Sequence, residues 1–434
     1  MRVLVADKCH QVHEKSSDLI VIKVLKKMKR IILIFLFLCT VGHCLSTEDL
    51  DKSRSFVELI VSRGFRLLSY TVPTADGYIL TLHRVVPPEY NERIYSQRRQ
   101  PVIVQHGLFG SSSDFFITSP DIRSSDNHCS DNFGFCLVLT GRYDVFLPNS
   151  RGSVGTDHQW LSEKEDSQYW NFTFEQMAIY DTPAVIETIQ NVTGYKKIAA
   201  IGYSQGSNIF FILFSLLPKY ASIIEPFISW APPAIIGNMT SSARLLVPLY
   251  PILQKEKGKF SFSDIRVRSI ISPTCGLSET LCAEALLSFF GESDKMNLSR
   301  LEVYLNFFPS PISNTDLSHF AQLYERKNFY RFDYHDEEQN LKAYNKKEAP
   351  LYPLENIPKK TKIYTIHGNT DALVTNSDAT KFIKKLRSIG LKVNDYKVPS
   401  EKFNHFDFMV GENAGKLVYD KTIQILDKFY NKKS

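Results

Sequence analysis

Cysteine is scarce in this chain of 434 residues. Of the seven present, Cys9, Cys39 and Cys44 fall within the first 44 residues, and only Cys129, Cys136, Cys275 and Cys282 remain for the rest. There is no His-Glu-x-x-His, no cysteine cluster and no histidine cluster, so the sequence offers no metal site. No Gly-rich phosphate loop follows a strand, so it offers no nucleotide site either. A bilayer span needs about 20 apolar residues. The apolar core near the N-terminus, Ile31–Val41, has eleven. Internal repeats and low-complexity stretches are absent. A surplus of charge is missing too. The net charge is +6, but residues 1–30 hold eight Lys/Arg against three Asp/Glu and account for +5 of it. The near-neutral remainder gives no support to nucleic-acid binding through bulk charge. What is left is ordinary globular composition, 43% hydrophobic and 23% charged, long enough for one large domain with a sizeable insertion.

The N-terminal asymmetry has a reason. Lys26-Lys27-Met28-Lys29-Arg30 precedes the apolar core, and Gly42-His43-Cys44 leads to polar Ser46-Thr47-Glu48-Asp49. A basic stretch, a short apolar stretch and small residues near a cut make residues 1–44 a secretory signal region. Met28 is the expected working start, because a signal beginning there has normal proportions. Secretion agrees with four glycosylation sequons, at Asn171, Asn191, Asn238 and Asn297. In an oxidising compartment the two equally spaced cysteine pairs read as Cys129–Cys136 and Cys275–Cys282 disulfides.

Along the chain, residues 48–69 read as a helix followed by a polar turn. Tyr70–Pro73 and Tyr78–Val86 flank Thr74-Ala75-Asp76-Gly77, a hairpin signal. Strands follow at Pro101–Gln105 and Tyr143–Leu147, each ending in a Gly-containing turn. An amphipathic helix is expected over Phe174–Gln190, then a strand from Ile198. After Pro226 the rhythm changes, and residues 235–355 read as short helices and loops without sheet. Strands return at Lys362–Ile366 and Lys392–Val398, before a last helix with Val418, Ile425, Leu426 and Phe429 on one side. This is an α/β pattern with a mostly parallel sheet. It divides into a first core part (45–234), an inserted helical cap and lid (235–355) and a second core part (356–434).

Chemistry concentrates at Gly202-Tyr203-Ser204-Gln205-Gly206, between an apolar strand and an apolar helix. Gly-x-Ser-x-Gly in that setting is a sharp elbow whose serine projects above the carboxyl edge of the sheet. A serine hydroxyl needs a base, and the base needs an orienting acid. In such a fold they follow in the order serine, acid, histidine, on loops after strands. His405 follows the strand ending at Val398 and is the candidate base. Asp371, beyond the strand ending at Ile366, is the candidate acid. Asp378 is the alternative, although it sits where a helix should begin. Asp407 lies too close to His405 in sequence to orient it. The oxyanion calls for the backbone N–H of Gln205 and one from the loop His106-Gly107-Leu108, for which Leu108 is the candidate.

Several motifs, taken together, resemble the acid lipases: the gastric, lingual and lysosomal lipases and their insect relatives. They are Asp76–Leu80 with Arg84, His106-Gly107-Leu108, Asn149-Ser150-Arg151-Gly152, Phe174–Ala178 with Tyr180-Asp181, Gly202–Gly206, Asn297–Tyr304 and Asn404–Phe408. They fall in the family's order over nearly the whole chain after the signal. The resemblance implies an α/β-hydrolase fold with a helical cap and lid, no cofactor, and hydrolysis of triacylglycerols or cholesteryl esters. It implies Ser204, Asp371 and His405 as the triad, with Leu108 and Gln205 at the oxyanion hole.

The chain departs from the family in places. Tyr203 stands where mammalian members have His. The stretch Asp121–Gly134 is rewritten around the extra Cys129/Cys136 pair. Cys275–Cys282 resembles the family's cap disulfide with a shorter loop, Phe290 replaces its third cap cysteine, and the lid around 240–285 matches poorly. The expectation is a secreted lipase, with the lysosomal lumen as the alternative location. Its expected partners are a lipid ester and, transiently through the cap, a lipid-droplet or membrane surface, with no nucleic acid and no obligate protein. The competing readings are an esterase for soluble short-chain esters and a non-catalytic lipid-binding protein. A large apolar cap favours water-insoluble substrates over the first, and the intact Ser-Asp-His set disfavours the second.

Overall fold

Eleven strands occur among the described residues: β1 (Arg66–Pro73), β2 (Tyr78–Val86), β3 (Gln100–Gln105), β4 (Tyr143–Pro148), β5 (Asp157–His158), β6 (Ile198–Tyr203), β7 (Ile224–Trp230), β8 (Lys259–Phe260), β9 (Ile312–Ser313), β10 (Ile363–His367) and β11 (Val393–Lys397). They belong to a computed structural model that describes residues 49–91, 95, 99–123, 128–261 and 279–430. Nine strands form one sheet in the order β1-β2-β4-β3-β6-β7-β10-β11, with β5 pairing to β2. From β4 to β11 all pairings are parallel, whereas β1, β2 and β5 are joined antiparallel.

Sequence explains the division. β3, β4 and β6 are buried throughout, as expected where helices cover both faces of a parallel sheet. β2 alternates buried and half-buried positions over its first six residues, like a strand with one face in the core. Its hairpin with β1 turns at Gly77, where φ is 98°, and the Thr74 hydroxyl accepts the Tyr78 N–H at 2.9 Å.

Three expectations need correction. Within 48–69, read as a helix followed by a polar turn, the α-helix is only Phe56–Ser62, capped by Ser55 and Glu58, and the end of the range is strand. It stops because Gly64 takes φ of 79°, and Arg66 already belongs to β1. β7 was not expected at all, because Pro226 reads as a breaker. It is tolerated because the β6–β7 register shifts between Ile198 and Ala200, next to the residue that lacks an N–H. Within 235–355, β8 and β9 form a two-stranded sheet of two residues each, too short to leave a periodic signal.

The long helix runs from Phe174 to Thr193, through a π-turn at Met177–Asp181 just before Pro183. Between β7 and β10 the chain is mainly helical, including Tyr250–Glu256, Glu279–Phe290, Leu301–Phe307, Asn314–Arg326 and Glu337–Tyr344. Because β3, β6, β10 and β11 are parallel neighbours or near neighbours, the segments after their carboxyl ends gather on one edge. Those segments carry Leu108, Ser204, Asp371 and His405.

Candidate active site

Ser204 is the hinge between β6 and the helix Gln205–Leu216, with φ of 52° and ψ of −122°. That conformation costs a non-glycine residue about 1–3 kcal/mol and persists only where its surroundings enforce it. Here they do. A Cβ on Gly202 would come within 2.6 Å of the Gly206 carbonyl oxygen. One on Gly206 would come within 2.6 Å of the Gln105 carbonyl oxygen. The helix therefore passes so close to β6 on one side and to the end of β3 on the other that only glycine fits on either side of the serine. The helix behind is buried over Gln205–Ser215, which fixes its N-terminus against the sheet.

His405 reaches that serine from the loop after β11. Its Nε2 lies 2.8 Å from Ser204 Oγ, and its Nδ1 lies 2.7 Å from Asp371 Oδ2. A carboxylate can only accept, so Nδ1 carries the proton and Nε2 accepts from the hydroxyl. The other carboxylate oxygen, Oδ1, accepts the N–H groups of Leu373 at 2.9 Å and Val374 at 2.7 Å. All three side chains are buried. A hydroxyl, an imidazole in the right tautomer and a fixed carboxylate in hydrogen-bonded series suit general-base activation of the hydroxyl for nucleophilic attack.

The remaining sequence candidates fall nearby. A Cβ on Gly107 would sit 3.0 Å from Ser204 Cβ, so the loop His106-Gly107-Leu108 packs directly against Ser204. His106 Nε2 accepts the Ser150 N–H at 3.1 Å, and its Nδ1 faces the Gly107 carbonyl at 2.8 Å. Burial pulls the His106 pKa down to about 4, so the ring that braces this loop stays neutral over most of the pH range. Leu108 is half-buried, and Gln205 opens its helix, where the first N–H groups have no intrahelical acceptor. A small pocket beside Gln205 is bordered by Gly107, Phe109, Met177, Gln205 and Ile312.

The other two carboxylates considered are engaged elsewhere. Asp378 binds the backbone and side-chain N–H groups of Asn238, at 2.8 and 2.7 Å. Asp407 accepts from the Asn404 N–H and the Ser293 hydroxyl, both at 2.7 Å. Burial raises the Asp407 pKa to about 7.

Sequence reading did not anticipate how far His405 and Asp371 depend on the segment between β7 and β10. The Phe290 carbonyl accepts from Ala372 N–H at 3.1 Å and from His405 N–H at 3.3 Å. Gly291 forms a β-bridge with Asp371, and its carbonyl accepts from the Asn404 side chain at 2.8 Å. These partners are backbone groups more than 75 residues away in sequence from the residues they hold. The only local signal was Gly291 itself, which takes φ of 110°.

Cys129 and Cys136 are joined in a disulfide, and the Cys129 N–H donates to Asp420 of the C-terminal helix at 2.9 Å. The expected Cys275–Cys282 disulfide rests on Cys275, which, like the signal region 1–44, lies outside the described residues. Asn171, Asn191 and Asn238 are exposed and Asn297 is half-buried. Among the described residues no helix is long and apolar enough to cross a membrane.

Comparison with known proteins adds to this geometry. The chain matches a partial alpha/beta-hydrolase lipase region over residues 56–119 and the alpha/beta hydrolase fold over residues 100–412. It is 31% identical over 383 residues to Lipase member N of Homo sapiens, covering 86% of this chain and 90% of that one. It is 30% identical to the gastric triacylglycerol lipase of Bos taurus, covering 87% and 92%. To the lysosomal acid lipase/cholesteryl ester hydrolase of Rattus norvegicus the identity is 28%, covering 89% and 94%.

Proposed function

We propose a lipid ester hydrolase, on the premise that this chain belongs to the α/β-hydrolase fold family and, within it, to the acid lipases. Its substrates are triacylglycerols or cholesteryl esters, cleaved through an acyl-enzyme on Ser204. The observation that carries this reading is the unbroken hydrogen-bond series from Ser204 Oγ through His405 to Asp371.

Ser204 Oγ attacks the ester carbonyl while His405 Nε2 takes its proton. Asp371 holds Nδ1–H and stabilises the imidazolium. The oxyanion is received by the backbone N–H groups of Leu108 and Gln205, each worth roughly 3 kcal/mol when well placed. His405 then passes the proton to the leaving alcohol. Water, activated by the same imidazole, releases the fatty acid and frees the serine. No step needs a cofactor.

The segment 235–355 serves as cap and lid. Leu245, Leu246 and Ile252 stand exposed on it, at 72%, 42% and 56%, and suit transient contact with a lipid surface. The signal region and the sequons support export, to the exterior or to the lysosomal lumen. Initial rates on emulsified triolein, cholesteryl oleate and a short soluble ester, under acidic and near-neutral conditions, test the reading. Turnover of the emulsions is expected. Turnover of the soluble ester alone would identify an esterase instead.

A further inference from the structure

Tyr203 immediately precedes the nucleophile and is only 4% exposed. Its hydroxyl donates to the backbone carbonyl of His405 at 2.8 Å. Its ring lies 5.3 Å from the His405 ring and 6.1 Å from that of Phe408, centre to centre. On the other side, a Cβ on Gly107 would meet the Tyr203 ring at 3.2 Å. One side chain thus touches the loop of the base and the loop of the oxyanion hole, and is joined covalently to the serine.

The arrangement has a physical reason. His405 lies in a loop, so no sheet partner is available to its backbone, yet the residue is buried. A buried carbonyl needs a donor. The His405 N–H is held by Phe290, and the carbonyl on the other side of the residue is held by the Tyr203 hydroxyl. Tyr203 itself cannot drift, because the Ser204 N–H is tied to the Trp230 carbonyl at 2.9 Å. The nucleophile and the backbone of its base are therefore mounted on one strut.

We infer that Tyr203 is a positioning residue of the reaction, setting the His405 imidazole against Ser204 by clamping the His405 carbonyl. The inference rests on the lipase reading above and adds a member to its machinery. Removing only the hydroxyl leaves the ring in place and frees the backbone of the base to rotate. The imidazole then departs from both Ser204 Oγ and Asp371 Oδ2. The first change slows attack, and the second weakens the carboxylate's support of the protonated ring.

Tyr203→Phe tests this. In thermally stable, folded protein, kcat should fall by about tenfold with KM within about twofold, since sub-ångström misplacement of reacting groups is enough for such losses. The acid limb of the kcat/KM profile should move to lower pH, because an imidazole less well paired with Asp371 is easier to deprotonate. A merely structural role would not move that limb. Replacing Tyr203 by p-aminophenylalanine, which restores a donor at the same place, should recover most of kcat. Should Tyr203→Phe not fold, p-aminophenylalanine against p-methylphenylalanine at the same position makes the same comparison. Unchanged kcat and an unmoved acid limb without the donor, in an active enzyme, overturn the positioning role alone. Wild-type protein inert toward every ester overturns the functional reading instead.

Discussion

The two sides of the candidate active site are held by different means. Ser204 is fixed by what is missing around it, the side chains of Gly202 and Gly206, within five consecutive residues. Asp371 and His405 are fixed by what reaches them: the Phe290 carbonyl, the Gly291 bridge and the Tyr203 hydroxyl. The first side is steric, and its two glycines are near neighbours in sequence although Gly206 clears the Gln105 carbonyl of β3, whereas the second is hydrogen-bonded and assembled from distant segments. Damage to either should be felt differently.

The sharpest test removes the reacting groups. Ser204→Ala, His405→Ala and Asp371→Asn should each reduce turnover by about 10⁴-fold or more, with the fold intact. Double variants should lose little more, because the three act as one unit. Asp378→Asn serves as the contrast, since its carboxylate holds Asn238 and not His405. Activity should stay within about threefold for a carboxylate whose hydrogen bonds go to Asn238 and Thr375. The reverse ranking of Asp371→Asn and Asp378→Asn, measured on one ester, would transfer the role of acid to Asp378.

A second test strikes the assembled side through its backbone. A Cβ at Gly291 would lie 1.9 Å from the Thr370 carbonyl oxygen, and φ there is 110°. Gly291→Ala must push the Asp371 loop away from His405. Turnover should fall by about 10–100-fold, as for an ångström-scale misplacement, and the melting temperature should drop. An active site indifferent to this change would mean that the segment between β7 and β10 does not support the acid.

Third comes a pH effect away from the reacting groups. Asp316 is fully buried in the helix Asn314–Arg326. Its Oδ1 accepts the Phe174 N–H at 2.6 Å, and burial raises its pKa from 3.8 to about 8. The folded protein thus holds this proton more tightly than the unfolded chain does. Below about 4 the group is neutral in both states and makes no difference. As pH rises from 3.8 towards 8 it increasingly favours unfolding, by on the order of a few kcal/mol at the top. Asp316→Asn should flatten that dependence, melting close to wild type near pH 4 and higher than wild type near pH 8. Equal melting temperatures at both ends would refute it.

The smallest effect is expected at Gln205. Its proposed contribution is a backbone N–H, so Gln205→Ala should change kcat by no more than about threefold, against the 10²–10³ that follows loss of a side-chain oxyanion donor.

This contrast also explains what could be read from sequence. The elbow was legible because its requirement for small neighbours is written in adjacent residues. Asp371 and His405 could be found because they follow strands, and strands leave apolar runs. The order serine, acid, histidine then left few alternatives. β7 was hidden because Pro226 imitates a strand end, and only a register shift against β6 accommodates it. The supports at Phe290 and Gly291 were hidden for another reason. They act through main-chain atoms, which look alike in every residue, and meet their partners only after the sheet has formed. β8 and β9 left no trace because two residues cannot establish a period.

The bridge between Gly291 and Asp371 limits how far this chain could be miniaturised. Small hydrolases are attractive as minimal catalysts, and a helical excursion of this length invites excision. Here residues midway along the excursion, Phe290 and Gly291, steady Asp371 and His405. Cutting it out would remove the Phe290 and Gly291 contacts to Asp371 and His405. A pared-down descendant would need a substitute for the Phe290 carbonyl and the Gly291 strand edge before it could turn over any ester, even a small soluble one.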